Sequence, residues 1–449
     1  MYRIDKYAEK QAPNCIDCGY MDPDLYNTYG VKRGLRDING QGVLTGLTNI
    51  SKITSFKELD GKLVPCDGEL LYRGYDVRDL IAGASNRKMI YEEGAYLLLF
   101  GELPNEKQLK EFHDVIARCM TLPSNFTRDV IMKAPEPDIM CNMTKSILTL
   151  ASYDDHKNDL DISNVLRQSI RLIGNFPMLA AYSFHAYNYY RNCESMFVHR
   201  PDPDLSLTEN FLRLLRPDMS FTEIEARTLD VAFLLHMEHG GGNNSTFTTR
   251  VVTSAGTDTY SAIAAAMCSL KGSRHGGANL MVMEMMDNIR ENVRDTDDEE
   301  EVENYLTKIV RREVFDRKGL IYGMGHAVYS LSDPREKVFR GYVEKLAGEK
   351  GREKDLRLYE SIEKLAPEII ARERKIYKGV SPNVDFYSGF VYEMMGIPRE
   401  LYTPIFSVAR IAGWSAHRIE ELVANNKIIR PAYKSVLEKR SYKGLEDRI

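Results

Sequence analysis

From Met89 onward the apolar residues recur at helical spacing almost without pause, and this periodicity confines the chain to a body of packed helices. Glu92 to Phe100 is apolar on one side and stops at Gly101, and Asn105 is placed to cap Glu106 to Met120. Pro137 to Ser152 and Asp161 to Tyr190 continue the pattern, the second divided at Gly174 and Pro177. Ser206-Leu-Thr-Glu209 and Ser220-Phe-Thr-Glu223 both fit capping boxes, and Asp258 caps a small-residue helix over Ala262 to Leu270. Arg399 to Asn425 reads as a long helix with Phe406, Arg410, Trp414 and His417 on one face. Strand signals are confined to an earlier stretch. Gly42 to Phe56 is β-branched with rough alternation, and Lys62 to Tyr75 encloses an Asp67-Gly68 turn signal. The expected fold is all-α, with a minor β-hairpin near the N-terminus.

The first forty residues are polar, Tyr-rich and without period, and read as an irregular N-terminal arm, residues 1–40. Between Leu280 and Lys378 the chain is more charged than the Ala-rich segment before it. That shift predicts a large helical domain over 41–279 and 385–449, with a smaller helical domain, 280–384, inserted into it. The acidic run Asp295 to Glu303 reads as acids at a helix start that complement the helix dipole rather than as a cation site.

Composition excludes several classes. A net charge of −5 and a pI near 6.1 argue against a general nucleic-acid binder. Charges break every long apolar run, and the N-terminus has no apolar h-region, so the expected compartment is the cytoplasm. Seven cysteines in 449 residues do not make a disulfide framework, and Cys15-Ile-Asp-Cys18 lacks a second pair to complete a zinc site.

Three glycine-rich stretches carry the chemistry. Arg274-His275-Gly-Gly-Ala-Asn279, Gly323-Met-Gly-His326-Ala-Val-Tyr-Ser-Leu-Ser-Asp-Pro-Arg335 and Ser381-Pro-Asn-Val-Asp385-Phe-Tyr-Ser-Gly389 each place an ionisable side chain beside a flexible or helix-terminal backbone. No Gly-x-Ser-x-Gly elbow is present to hold a hydrolase nucleophile, and His236 and His239 are three apart, not in a His-Glu-x-x-His helix. A carboxylate with neutral imidazoles as donors suits proton removal beside a carbonyl, and the arginines suit a dicarboxylate. This chemistry points to a condensation.

Those three elements, in this order, resemble the citrate synthase family over about Glu69 to Arg430. The resemblance implies that Asp385 abstracts a methyl proton from acetyl-CoA and that His275 donates a hydrogen bond to the thioester oxygen. It implies that His326 polarises the keto carbonyl of oxaloacetate, and that hydrolysis of citryl-CoA releases citrate and CoA. His239, Arg335 and Arg410 match positions that grip the oxaloacetate carboxylates, Phe406 matches an aromatic lining the pocket, and Arg430 matches an arginine supplied by the partner subunit of a homodimer. Tyr322, Gly323, Met324 and Gly325 match a loop that contacts CoA on the small-domain side. No metal or permanently bound cofactor is implied, nor a nucleic-acid or membrane partner; acetyl-CoA is a co-substrate. The alternatives are a 2-methylcitrate synthase using propionyl-CoA and an inactive helical CoA-binding scaffold.

Several residues stand apart from this pattern. His236 reads as structural, His417 has no assigned role, and Arg73 reads as a turn-stabilising salt bridge. Many family members carry a basic residue for CoA phosphate after Gly-His-Ala-Val, where this chain has Tyr329-Ser-Leu331. Lys271, Arg274 and Lys337 are the available substitutes.

Overall fold

The computed structural model describes residues 2–36, 42–59, 62–325, 329, 331–374, 380–424, 427–442 and 444–447. The chain divides into two units, Met1–Leu47 and Thr48–Ile449. The first contains α1 (Tyr2–Gly19) and α2 (Pro23–Thr28). Irregular chain was expected here, and α1 departs from that expectation. Its apolar side chains Ile4, Tyr7 and Ile16 are all exposed, so α1 shows no buried stripe, the signal on which a periodicity argument depends. Cys15 and Cys18 are exposed near its end; all seven cysteines are free thiols, and no metal-ligand cluster occurs among the described residues.

In the second unit β1 (Ser51–Leu59), β2 (Lys62–Tyr72) and β3 (Tyr75–Asp76) form an antiparallel sheet in that order. Ser51 pairs with Tyr72 and Leu59 with Lys62, with a bulge between Thr54 and Phe56. The Asp67-Gly68 pair, expected as the turn, instead lies inside β2. Gly68 is needed there for a different reason: a Cβ on it would lie 2.3 Å from the backbone oxygen of Ser332 and 2.6 Å from the Tyr329 ring. The second turn of the sheet falls at Arg73 and Gly74, both at positive φ. Arg73 forms no salt bridge among the described residues. Its guanidinium donates through Nε and Nη2 to the carbonyl of Leu98, at 3.1 and 2.7 Å.

Leu98 lies in the last turn of α4, and the helical body runs α3 (Val77–Gly83), α4 (Ile90–Phe100), α5 (Glu106–Cys119), α6 (Ile139–Leu150), α7 (Ile162–Arg191), α8 (Leu207–Leu215) and α9 (Glu223–Met237). It continues with α10 (Asn244–Ser254), α11 (Thr259–Leu270), α12 (Ala278–Asn292), α13 (Glu299–Val310), α14 (Pro334–Lys350), α15 (Glu353–Arg374), α16 (Val384–Met394) and α17 (Tyr402–Ala424). The all-α expectation with one small sheet therefore holds. The core centres on α17, which packs on α4, α7, α9 and α10 and buries Trp414 completely.

Local signals mostly mark the helix ends. Asn105 caps α5 and Asp258 caps α11, as expected. Asp298 caps α13 and three glutamates fill its first turn, which is the dipole arrangement expected of the acidic run. Ser206 and Glu209 form a reciprocal capping box. The second box is displaced by two residues, to Thr222 and Glu225, because Glu225 is also held by Arg216 at 2.7 Å and Lys350 at 2.8 Å. Nor is α7 divided. It runs through Pro177, and Gly174 is a packing site, where a Cβ would lie 2.9 Å from the Cys119 backbone.

Candidate active site

Six of the residues singled out from the sequence surround one cavity of about 130 Å³: His239, His275, Arg335, Asp385, Phe406 and Arg410. Asn243, Leu270, Gly276 and Val384 complete the lining. The sequence reading missed Asn243, whose only local signal was its place directly before a helix.

Each side chain is positioned by a helix end or by the core helix. Asp385 is the second residue of α16, and its backbone N–H donates to the capping oxygen of Asn383 at 2.9 Å. Burial of its carboxyl raises its pKa to about 6, against the opposing pull of Arg335 and Arg410. A carboxylate poised there is ionised at neutral pH and remains basic enough to accept a proton. Arg335 enters at the start of α14. Burial opposes its charge, but the Asp333 carboxylate grips it through two bonds of 3.0 and 2.7 Å and keeps it firmly protonated. Phe406 and Arg410 lie one turn apart on α17, with the guanidinium carbon 5.7 Å from the ring centre. Arg410 Nε donates to the carbonyl of His236 at 3.0 Å. His236 itself is fully buried, stacked on Phe406 at 3.8 Å and bonded to the Tyr392 hydroxyl at 2.8 Å.

The tautomer of His275 follows from its neighbours. The Ser245 backbone N–H points at Nε2 from 3.3 Å. The Ser245 hydroxyl lies 3.1 Å from the same nitrogen, donates to Asn243 at 2.9 Å and accepts from Trp414 Nε1 at 3.2 Å. A backbone N–H can only donate, so Nε2 accepts from it and Nδ1 carries the hydrogen. Burial, with the Arg410 charge, pushes the His275 pKa down to about 4, so the ring is a neutral donor.

The stretch Tyr322 to Gly325 does not line this cavity. It is fastened to the chain before Asp385: Gly325 N–H donates to the Ser381 carbonyl at 2.7 Å, Asn383 N–H to the Gly323 carbonyl at 2.9 Å, and the Asn383 amide to the Gly325 carbonyl at 2.8 Å. Gly323 and Gly325 both have positive φ, and a Cβ on Gly323 would lie 2.8 Å from the Phe386 ring. His326, which follows, lies outside the described residues. Arg430 is exposed and does not line the cavity. Tyr329 is buried, with its ring 5.5 Å from that of His239. Lys271 is paired with Asp138 and Lys337 with Asp67. Arg274 is exposed, with no ion pair among the described residues.

Fold and site together define a predominantly helical protein with a small pocket that joins a carboxylate, a neutral imidazole and two guanidiniums. A family profile described as citrate synthase, C-terminal domain, matches residues 38–432. The chain is 35% identical to a citrate synthase of Haloferax volcanii, across 91% of this chain and 96% of that one. It is also 31% identical to 2-methylcitrate synthase 1 of Corynebacterium glutamicum, across 93% and 96%. The structure of Thermoplasma acidophilum citrate synthase in ternary complex with carboxymethyl coenzyme A and oxaloacetate superposes with a TM-score of 0.76 at 26% identity, covering 93% of this chain and 99% of that one. The chain belongs to the citrate synthase family. Its relatives include both citrate synthases and 2-methylcitrate synthases.

Proposed function

We propose that this chain condenses acetyl-CoA with oxaloacetate and hydrolyses the resulting citryl-CoA to citrate and CoA, an acyl transfer in which the acyl group becomes an alkyl one. The observation that carries this reading is the meeting of Asp385, His275, Arg335 and Arg410 on one cavity. Asp385 takes a proton from the acetyl methyl group while His275 Nδ1–H stabilises the developing enolate oxygen. The new carbon nucleophile attacks the keto carbon of oxaloacetate, polarised by His326. His239, Arg335 and Arg410 hold the substrate carboxylates and Phe406 lines their pocket. Water then cleaves the thioester and the thiol of CoA leaves.

CoA reaches the site along Tyr322, Gly323, Met324 and Gly325, on the side of a small domain, 280–384, that closes on the large domain, 41–279 and 385–449. Closure excludes water until condensation is complete. Compaction in small-angle scattering on adding oxaloacetate with a CoA analogue tests this; an unchanged radius of gyration rejects it. The unit of function is a homodimer in which Arg430 serves the partner's pocket, a reading supported by its exposure outside the cavity of its own chain. Co-expressed Asp385→Ala and Arg430→Leu chains then regain activity in mixed dimers, because one pocket is intact. With Arg430 acting in its own chain there is no rescue.

The reaction is tested by thiol release from acetyl-CoA and propionyl-CoA with oxaloacetate, without added metal or nucleotide. Preference for propionyl-CoA makes the protein a 2-methylcitrate synthase, a difference of one methylene that an apolar pocket discriminates by only about 1–3 kcal/mol. No release with either leaves the inactive scaffold.

A further inference from the structure

Glu238, the residue before His239, is wholly buried, and its carboxylate is the hub of a polar cluster that the reaction above does not use. Its Oε1 accepts from the Ser51 hydroxyl at 2.9 Å, from His417 Nε2 at 3.0 Å and from the backbone N–H of Gly240. One oxygen thus ties residues on both sides of His239 into a closed turn. On the other side of the ring, His417 Nδ1 accepts from Arg250 Nε at 3.1 Å and Nη2 at 2.7 Å. A nitrogen that accepts from guanidinium carries no proton, so Nε2–H is fixed as the donor to Glu238. Arg250 is anchored in turn by Glu421 at 2.8 Å and by Glu420. The loop after His239 lies against this cluster: a Cβ on Gly241 would be in ordinary contact, at 3.4 Å, with both Arg250 Nε and the His417 ring.

We infer that Glu238, His417 and Arg250 are positioning residues that set the orientation of His239 towards oxaloacetate. This rests on the role of His239 proposed above. The chain of bonds runs from Arg250 on α10 and His417 on α17 through Glu238 to a loop that lines the cavity.

The test compares His417→Gln, which retains a donor near the Nε2 position, with His417→Phe, which removes it. Loss of a hydrogen bond to a charged group predicts a rise of about tenfold in the oxaloacetate KM of His417→Phe, and less than about threefold for His417→Gln. The kcat should fall less than KM rises, and the acetyl-CoA KM should stay as in the wild type. Equal oxaloacetate KM values in the two variants, or an equal rise in the acetyl-CoA KM, overturn the inference. If His417→Phe does not fold, Ser51→Ala decides: a rise of about two- to threefold in the oxaloacetate KM alone supports the relay, and an unchanged KM overturns it. Wild-type turnover in the same assay separates failure of the relay from failure of the proposed reaction.

Discussion

The two sides of the pocket are held in different ways. On the His275 side the backbone N–H of Ser245 sets the acceptor nitrogen of the imidazole, and side chains hold Ser245 in place, its hydroxyl bonded to Asn243 and Trp414. On the Gly323 to Gly325 side each bond ends on a backbone carbonyl and joins the loop to the chain just before Asp385. The first arrangement sets a protonation state but depends on a few side chains. The second depends on backbone path and on the Asn383 side chain, so it tolerates most other side-chain changes and fails where a glycine is lost. Asp385 adjoins the backbone-held side and lines the same cavity as His275.

Breaking the shared element should have the largest effect. Asp385→Asn keeps the shape and the cap but removes the base, so kcat should fall by at least about 10²-fold with little change in oxaloacetate affinity. Near-normal turnover would show that another group takes the proton. On the backbone-held side, Gly323→Ala forces a side chain into positive φ against Phe386, whereas Met324→Ala leaves the path intact. The glycine variant should lose about 1–3 kcal/mol of stability in denaturant titration and the methionine variant much less. Equal losses would mean that side-chain packing holds this loop.

The pH profile sharpens the contrast from the other direction. Asp385, raised to about 6, must be ionised to act, so kcat/KM should fall about tenfold per unit as pH drops below 6 and level off above it. His275, lowered to about 4, stays neutral throughout and should add no second limb in that range. The smallest effect belongs to Ser245→Ala. It deletes the hydroxyl bonded to Asn243 and Trp414 but retains the backbone N–H that sets the tautomer, so kcat should fall about three- to tenfold, the scale of one hydrogen bond. A loss as large as that of Asp385→Asn would place the serine directly in the chemistry.

Much of this was legible in the sequence where a signal is local. Caps at Asn105, Ser206 and Asp258 lie within three residues of the groups they satisfy. Failures occurred where distant chain decided the outcome. Gly68 resembled a turn residue because nothing nearby shows that the Ser332 backbone, 264 residues later, packs against it. Thr222 displaced Ser220 as a cap because Lys350 and Arg216 select Glu225. In the site, His239, His275, Arg335 and Asp385 stood out by their glycine- or proline-rich settings. Their supports did not, since Ser245 meets His275 across 30 residues and Trp414 meets Ser245 across 169.

Trp414 is the only tryptophan in the chain. Its indole N–H ends on the hydroxyl of Ser245, whose backbone N–H bonds His275, and the ring is completely buried. Indole emission therefore comes from a single fluorophore one residue removed from the pocket, with no second tryptophan to dilute it. Ligand binding that shifts Ser245 should change its colour or yield, which makes the unlabelled protein its own optical titration probe.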